Sequence, residues 1–189
     1  MLEGTNVALG VTGSVAAVTE VELAHELRRR GATVRAAMTE AAQGIVHPDA
    51  VSYATDAETV TELTGAVEHV AWCGKEGWAD VCLVAPATAN TIGKIAGGID
   101  DTPVTTMVTT ALGADVPVVV APAMHEGMFD HPGVAENLEK LDDWGVSVVE
   151  PRIEEGKAKI ATADAIALDV AHAVGPTPLE GKTVVVTSG

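Results

Sequence analysis

The stretch VCLVAPATANT at residues 81–91 decides the fold. Its first part, residues 81–85, is an uninterrupted apolar run, as expected of a strand buried on both faces of a sheet. Its second part, residues 86–91, is a turn of small and polar residues. The same sequence of features recurs at residues 116–128, where VPVVVA leads into PAMHEGM. Ligands bind at the carboxyl ends of parallel strands in open α/β sheets, so these two turns predict a binding site.

Strand-like and helix-like segments alternate along the rest of the chain. Strands are predicted at residues 7–11, 32–38, 81–85, 116–121 and 146–149. Helices are predicted at residues 15–30, from Glu40, near 57–63, and at 89–97, 104–112, 132–144 and 161–174, with a loop at 150–160. Short, regular alternation of this kind predicts an α/β fold in three layers: a doubly wound parallel sheet with helices on both faces.

The composition limits the classes of partner. The chain has 189 residues with 27 acidic and 11 basic side chains, giving a net charge of −16. Nucleic acids and anionic membrane surfaces both attract basic proteins, so neither is expected as a partner. The scarcity of basic residues indicates adaptation to a salty (halophilic) cytoplasm, where salt screens the repulsion between like charges. Aromatic residues make up only 3%, so the core must consist mainly of aliphatic side chains.

Further negative features point to a cytoplasmic protein without a metal. The chain shows no signal peptide and no apolar run of membrane-spanning length. Its two cysteines, Cys73 and Cys82, do not have zinc-type spacing, and Cys82 is expected in the core.

Residues 1–175 are expected to form one domain. Residues 176–189 combine a linker with a strand that runs into a glycine turn, which predicts the first strand of a further, truncated domain.

Several polar residues are candidates for ligand contacts. Gly13 and Ser14 lie between the first strand and the first helix, where backbone N–H groups can bind phosphate; an ordinary capped turn is the alternative. Thr39 either joins this pocket or simply caps a helix. Thr88 and Asn90 follow the strand at 81–85 and can bind a ring edge or a carboxylate, or serve only the turn.

Histidines and lysines supply the candidates for proton transfer and anion binding. His69 has apolar neighbours and is either a catalytic base or a structural histidine. His125 lies within the second turn, and His131 is expected at a helix start. Lys157 and Lys159 stand out because basic residues are scarce, and they either attract a phosphorylated substrate or belong to a solvated loop.

Several short motifs, in this order and spacing, resemble the flavin-dependent cysteine decarboxylases. Within that family the resemblance is to the phosphopantothenoylcysteine decarboxylases of coenzyme A biosynthesis, and it covers nearly the whole chain. The motifs are residues 12–17 (TGSVAA), 38–39 (MT), 68–70 (EHV), 86–91 (PATANT), 98–101 (GIDD), 105–106 (TT) and 122–124 (PAM). The tail at residues 179–189 resembles the start of the ligase half of bifunctional relatives.

The resemblance implies a flavodoxin-like fold that binds FMN and a lyase that converts 4′-phosphopantothenoylcysteine to 4′-phosphopantetheine. It implies a homo-oligomer, a trimer or a dodecamer, with sites between subunits, and a covalently linked ligase domain. Oxidation of the substrate thiol by FMN would place a C=S group β to the carboxylate, and this lets CO₂ leave. The implied residue roles are phosphate binding by Gly13, Ser14 and Thr39, flavin contacts by Thr88, Asn90, Thr105 and Met124, and a base at His69.

Two departures from the family pattern affect the substrate site. His125 stands where relatives commonly have an asparagine that contacts the substrate carboxylate. Residues 154–159 lack the cysteine that bacterial members carry in a mobile clamp over the substrate. Either Lys157 or Cys73 takes over its role, or the last step runs differently.

Three other functions compete with this interpretation. Flavin prenyltransferases share the fold, but the turn at residues 122–124 and the ligase-like tail favour the decarboxylase. A non-catalytic FMN-binding regulatory subunit would retain the cofactor without turnover. An electron-transfer flavodoxin usually flanks its flavin with aromatic rings, and this chain has one Phe and one Tyr.

Overall fold

The computed structural model describes residues 1–175 and, beyond them, Thr183, Val185 and Thr187. Eight strands are present in the described part of the chain: β1 (Asn6–Val11), β2 (Thr33–Met38), β3 (Val81–Ala87), β4 (Val118–Pro122), β5 (Met124–His125), β6 (Ser147–Val148), β7 (Arg152–Glu154) and β8 (Lys157–Lys159). Five of them form a parallel sheet in the order β2-β1-β3-β4-β6. The other three form a small antiparallel sheet in the order β5-β8-β7.

The helices cover both faces of the parallel sheet. They are α1 (Glu20–Arg29), α2 (Glu40–Gln43), α3 (Pro48–Thr55), α4 (Glu68–Cys73), α5 (Ala89–Gly97), α6 (Pro103–Gly113), α7 (Glu126–Phe129), α8 (Pro132–Asp143) and α9 (Ala163–Val174). Helices α1, α2, α3 and α9 bury residues in one hydrophobic cluster, whereas α4, α5, α6 and α8 bury residues in the other. The predicted three-layer, doubly wound architecture is therefore confirmed.

The strands supply both clusters because successive side chains point to opposite faces. In β3, Leu83 belongs to the first cluster, whereas Cys82 and Val84 belong to the second. In β4, Val119 and Val120 divide in the same way. All of these side chains are at most 2% exposed, which explains why the strands are apolar throughout rather than alternating with polar residues.

The strand order reverses between β1 and β3. From β1 the chain first adds β2 on one side, and it then crosses back to place β3, β4 and β6 on the other. The turns that follow β1 and β3 therefore diverge to opposite faces and leave a crevice between them. This arrangement is the topological switch point at which doubly wound sheets bind ligands.

One predicted helix is wrong and another is only partly right. Residues 57–63 are not helical. The helix lies earlier, at α3, where the His47 side chain caps the N-terminus and Pro48 occupies the first turn. Asp56 ends α3 in the left-handed conformation. The segment predicted as one helix from residue 15 begins instead as a 3₁₀ turn, Val15–Thr19, and becomes α-helical at Glu20.

The predicted loop at residues 150–160 is instead a β-hairpin, formed by β7 and β8. Its two-residue turn consists of Glu155 and Gly156, both with positive φ (54° and 68°), as a type I′ turn requires. The turn lacks the Asn-Gly or Asp-Gly pair that usually identifies such hairpins, and the strands have only three residues each. Pairing with the distant β5 completes this small sheet.

The prediction for residues 176–189, a linker and the first strand of a second domain, lies outside the described residues apart from three isolated positions. In the described part of the chain, every helix is too short or too polar to cross a lipid bilayer.

Candidate functional site

The turns after β1, β3 and β4 are joined by side-chain hydroxyl groups. The Thr12 Oγ1 donates to the carbonyl oxygen of Pro86 at 2.6 Å and accepts from the Thr88 backbone N–H at 3.2 Å. The Ser14 Oγ donates to the carbonyl oxygen of Ala123 at 3.2 Å. Three strand ends are thus held at fixed separations around the switch point.

A cavity of about 580 Å³ opens between these turns and the small antiparallel sheet. This volume lies within the range of cofactor and small-molecule sites. The lining residues include Gly13, Ser14, Val15, Ala16, Val18 and Thr19 after β1, Thr88 and Ala89 after β3, Ala123, Met124, His125 and Met128 after β4, and Arg152, Lys157, Ala158, Lys159 and Ile160 from the hairpin. Apolar side chains and a few polar groups from four chain segments therefore meet in one cavity.

The turn after β1 requires glycine at position 13. A Cβ atom on Gly13 would lie 2.5 Å from the Cβ of Ala41 in α2, closer than carbon atoms can approach. The next residue, Ser14, caps the 3₁₀ turn by accepting from the Ala16 N–H at 3.4 Å. The backbone here is therefore packed tightly against α2, and its opposite side borders the cavity.

The hairpin forms one wall of the cavity. Strand β5, which directly follows the turn after β4, pairs with β8 so that Met124 lies opposite Ala158 and His125 opposite Lys157. Ala158 is 1% exposed and anchors the hairpin, whereas Lys157 is exposed. This pairing brings His125 and Lys157 to the same wall.

The hairpin also concentrates charge. The Lys159 Nζ lies 3.2 Å from the Glu154 Oε2 and 2.8 Å from the Glu155 Oε2, and the Arg152 Nη1 lies 3.1 Å from the Glu154 Oε1. The hydrogen bond from Lys159 lowers the pKa of Glu155, and the same bond raises the pKa of Lys159. Arg152 and Lys159 are both paired with acidic side chains of the hairpin itself.

Six of the ten predicted site residues line the cavity: Gly13, Ser14, Thr88, Met124, His125 and Lys157. The other four, Thr39, Asn90, Thr105 and His69, lie outside the lining of this single chain, and their predicted roles stay predictions.

Two of these four are engaged in helix caps. The Thr39 Oγ1 accepts from the Ala42 N–H at the start of α2. Thr105 is 1% exposed and forms a reciprocal capping box with Thr102 at the start of α6. Asn90 is the second residue of α5, and its side chain is exposed.

His69 lies at the start of α4, and its Nδ1 atom is buried without a hydrogen-bond partner in the described part of the chain. Val67, two residues before His69, lies in the left-handed region at φ 54°, ψ 48°. This conformation is unusual for a β-branched residue. Thr64 donates through its backbone N–H to Glu68 at 2.9 Å and also through its hydroxyl. Hydrogen bonds from Thr64 lower the pKa of Glu68. The backbone conformation of Val67 and the hydrogen bonds between Thr64 and Glu68 thus constrain the segment that leads into His69.

Both cysteines lie in the second hydrophobic cluster, and neither lines the cavity. Cys73 ends α4 and is fully buried, and Cys82 is 2% exposed, as predicted for a core residue. Hydrogen bonding to the Cys73 thiol, together with burial, raises the pKa of Cys82. Cys82 is therefore a thiol rather than a thiolate at neutral pH.

Several residues that line the cavity were not predicted from the sequence. Val15 and Val18 are 79% and 58% exposed, and Met128 is 48% exposed; these values are unusual for large apolar side chains outside a binding surface. Arg152 was also not predicted, although it lies in the same predicted loop as Lys157 and Lys159. The scarcity of basic residues, which identified Lys157 and Lys159, applies equally to Arg152 and was the available signal.

The site fits a phosphorylated, partly apolar cofactor. The turn at Gly13 has no room for a side chain and keeps its backbone at the cavity edge, while Val15, Val18 and Met128 offer apolar surface to a planar ring. Counted within the parallel sheet alone, with β6 as its fifth strand, the strands lie in the order 2-1-3-4-5. This order, with a cavity at the β1–β3 crevice, defines the flavodoxin-like class of cofactor-binding proteins.

Comparison with known proteins agrees with this class. The chain belongs to the family described as "Flavoprotein", which it matches over residues 1–175. It is 55% identical over 189 residues to the coenzyme A biosynthesis bifunctional protein CoaBC of Thermococcus kodakarensis, covering all of this chain and 47% of that protein. It is 36% identical over 207 residues to the CoaBC protein of Bacillus subtilis, covering 48% of it. The chain thus spans about half the length of these curated relatives.

Two solved structures are also similar. The FMN-dependent cysteine decarboxylase SpaF superposes with a TM-score of 0.79 at 31% identity, over 93% of this chain and 100% of that one. A mutant PPC decarboxylase complexed with pantothenoylaminoethenethiol superposes with a TM-score of 0.71 at 30% identity, over 89% of this chain and 97% of that one.

Proposed function

We propose that this chain binds FMN in the cavity at the β1–β3 crevice and decarboxylates 4′-phosphopantothenoylcysteine to 4′-phosphopantetheine in coenzyme A biosynthesis. The observation that carries the proposal is the meeting of three strand-end turns and the hairpin around one cavity, in a chain of the flavoprotein family. The names of the relatives support this substrate and cofactor, since they include bifunctional coenzyme A biosynthesis proteins and FMN-dependent cysteine decarboxylases. The enzyme class is a carboxy-lyase.

The turn residues Gly13, Ser14 and Thr88 would hold FMN, together with Met124 from β5. The backbone at Gly13 and the hydroxyl of Ser14 suit a phosphate group, and Met124 suits the apolar ring. FMN would supply two-electron oxidation and reduction, which no protein side chain can provide at this site. The tasks left to the chain are to bind the substrate, orient it and move protons.

His125 and Lys157 lie opposite each other on the wall formed by β5 and β8. An imidazole N–H or a lysine ammonium can donate a hydrogen bond to the substrate carboxylate and thereby fix its orientation. When the C–C bond breaks and CO₂ leaves, the negative charge moves from the carboxylate to the remaining substrate. The donors must therefore orient the carboxylate without binding its charge too tightly. Two donors on an exposed wall satisfy this requirement better than a buried ion pair would.

His69 is proposed as the base that assists removal of a proton from the substrate. Because His69 lies outside the cavity lining of its own chain, this role requires a site shared between subunits. We propose a homotrimer, or a dodecamer built from trimers, in which α4 of one subunit borders the cavity of another. The buried, unpartnered Nδ1 of His69 and the exposed Val67 and Val70, at 43% and 50%, support a partner surface at α4.

Residues 176–189 are proposed to lead into a ligase domain. The sequence of this tail resembles the start of the ligase half, and the curated relatives are bifunctional proteins of about twice this length. A cytoplasmic location is proposed on the same basis, because the relatives named are enzymes of coenzyme A biosynthesis.

The test is an anaerobic incubation of the FMN-loaded protein, in high salt, with 4′-phosphopantothenoylcysteine, followed by mass spectrometry of the product. The proposal expects 4′-phosphopantetheine to form, with many molecules of product for each molecule of bound FMN. Unchanged substrate with FMN still bound would instead indicate a regulatory FMN-binding protein. Transfer of a prenyl group to FMN, assayed with dimethylallyl phosphate in parallel, would indicate the prenyltransferase.

A further inference from the structure

The hairpin places three cationic side chains on one wall of the cavity. Arg152, Lys157 and Lys159 all line it, in a chain that has only 11 basic residues and a net charge of −16. In so acidic a protein, a local excess of positive groups at a cavity attracts an anion more strongly than the rest of the surface does. The wall is therefore suited to an anionic part of a ligand.

Two of the three cations share one carboxylate. The Glu154 Oε1 lies 3.1 Å from the Arg152 Nη1, and the Glu154 Oε2 lies 3.2 Å from the Lys159 Nζ. Each oxygen of Glu154 thus holds one cation, and Glu154 bridges the pair. Lys159 has a second carboxylate partner in Glu155, whose Oε2 lies 2.8 Å from the Lys159 Nζ. Arg152 is further oriented by its Nε, which donates to the carbonyl oxygen of Ile160 at 3.2 Å. The spacing of Arg152 and Lys159 is therefore set to receive one group with several acceptor oxygens.

The Glu154 bridge is easily exchanged. Its side chain is 45% exposed, as is that of Arg152, and ion pairs at such positions contribute little to stability. A phosphate dianion carries more charge and more acceptor oxygens than a carboxylate, and it binds arginine with two parallel hydrogen bonds. A phosphate that enters the cavity can thus replace Glu154, whose side chain would then move into solvent at small cost.

We propose that Arg152 and Lys159 recognise the phosphate of the substrate, and that Glu154 holds them in place until the substrate arrives. This inference rests on the proposed function and names the residues that decide substrate specificity. Arg152 and Lys159 provide discrimination in favour of the phosphorylated substrate over pantothenoylcysteine, which lacks the phosphate. Glu154 competes with the phosphate and weakens its binding.

The experiment compares the kcat/KM of both substrates, with and without phosphate, in the FMN-loaded enzyme. Arg152→Gln and Lys159→Gln are each expected to lower the ratio of the two kcat/KM values about tenfold, mainly through KM, as expected for the loss of one charge-assisted contact. Glu154→Gln is expected to raise the same ratio roughly threefold, because the competing carboxylate is gone. Removal of a cation should thus lower the ratio of the two kcat/KM values, whereas removal of the neighbouring carboxylate should raise it. General destabilisation of the protein would not change the ratio in opposite directions.

Matched controls carry the same changes of charge elsewhere. Arg29→Gln removes an exposed arginine that pairs with Glu26 on α1, and Glu136→Gln removes an exposed carboxylate on α8. Neither residue lines the cavity. Both controls should leave the substrate ratio unchanged, so a shift in them would show that net charge alone is responsible and would overturn the proposal.

The FMN affinity of each variant identifies which phosphate the hairpin binds. The proposal expects FMN binding, followed by flavin fluorescence, to be unchanged in Arg152→Gln and Lys159→Gln. A loss of FMN affinity with an unchanged substrate ratio would assign these cations to the cofactor and overturn the proposal.

A wild-type enzyme that turns over neither substrate overturns the proposed function and this inference with it. An enzyme that turns over both, with a ratio insensitive to Arg152→Gln and Lys159→Gln, overturns this inference alone.

Discussion

The hydroxyl of Thr12 lies 2.6 Å from the carbonyl oxygen of Pro86, and it also accepts a hydrogen bond from the backbone N–H of Thr88. Thr12 is 1% exposed and does not itself line the cavity. One buried side chain therefore satisfies two backbone groups of the turn after β3 and links that turn to the end of β1. The width of the crevice between β1 and β3 depends on this contact.

Replacement of Thr12 by valine should weaken both folding and cofactor binding. Valine preserves the shape but leaves the Pro86 carbonyl and the Thr88 N–H without this partner, which costs roughly 1–3 kcal/mol for buried groups. Thr12→Ser retains the hydroxyl and serves as the control. Urea unfolding in high salt and FMN titration should both separate the two variants. Equal stability and equal FMN affinity in the two would show that the hydroxyl has no such role.

Replacement of Gly13 by alanine should disrupt the turn after β1. The new Cβ would lie 2.5 Å from the Ala41 Cβ, so either the turn or α2 must move. We expect FMN affinity to fall by about tenfold or more, since the displaced backbone borders the cavity. Gly113→Ala, at a position with no atom within 4 Å of the added Cβ, is the matched control and should retain normal FMN titration. Normal binding by Gly13→Ala would mean that the turn tolerates a side chain.

Glu20 should make stability depend on pH. Its side chain is fully buried in the first turn of α1, and both carboxylate oxygens lack hydrogen-bond partners in the described part of the chain. Burial raises the pKa of Glu20 well above its ordinary value. The folded state then binds the proton more tightly than the unfolded state. The contribution of Glu20 to stability is therefore fully present below its unfolded-state pKa and is lost as the pH rises through its folded-state pKa.

The substitution Glu20→Met tests this linkage. It should raise the free energy of unfolding at pH 8 by roughly 1–3 kcal/mol, because an unpaired buried polar group is replaced by an apolar one. The gain should shrink as the pH falls toward the ordinary pKa of a glutamate. Glu22→Gln, on the exposed side of the same helix turn, should show no such trend. A gain for Glu20→Met that is independent of pH would mean that the pKa of Glu20 is the same in the folded and unfolded states.

Replacement of His69 by asparagine should separate cofactor binding from catalysis. Asparagine can fill much of the same space but cannot act as a base near neutral pH. We expect FMN binding to be retained and decarboxylation to fall by about 10²–10⁴-fold, the usual contribution of a general base. His172→Asn, on the exposed surface of α9, is the control. Unimpaired turnover in His69→Asn would remove His69 from the mechanism.

Predictions that depended on neighbouring residues were correct, whereas a prediction that ignored a contact with a distant segment was wrong. The run at residues 81–85 is apolar throughout because β3 is buried on both faces, and the strand was therefore visible locally. The Thr39 cap of α2 and the start of α5 at Ala89 were also correct, since caps involve residues within one helix turn. The helix predicted at residues 57–63 was wrong because Val60 bridges to the edge strand β2 instead, a contact with a distant segment.

The composition of the chain, its alternating strands and helices, and the small polar turns after two buried strands were sufficient to determine the fold class and the edge of the sheet that carries the site. They were sufficient because periodicity and turn chemistry are local properties of the sequence. Only the tertiary structure decided that β5 pairs with β8, that Arg152 faces the cavity beside Lys159, and that Glu20 is buried without a partner. Each of these depends on contacts between segments far apart in the chain, whose geometry is set by the packing of the whole domain.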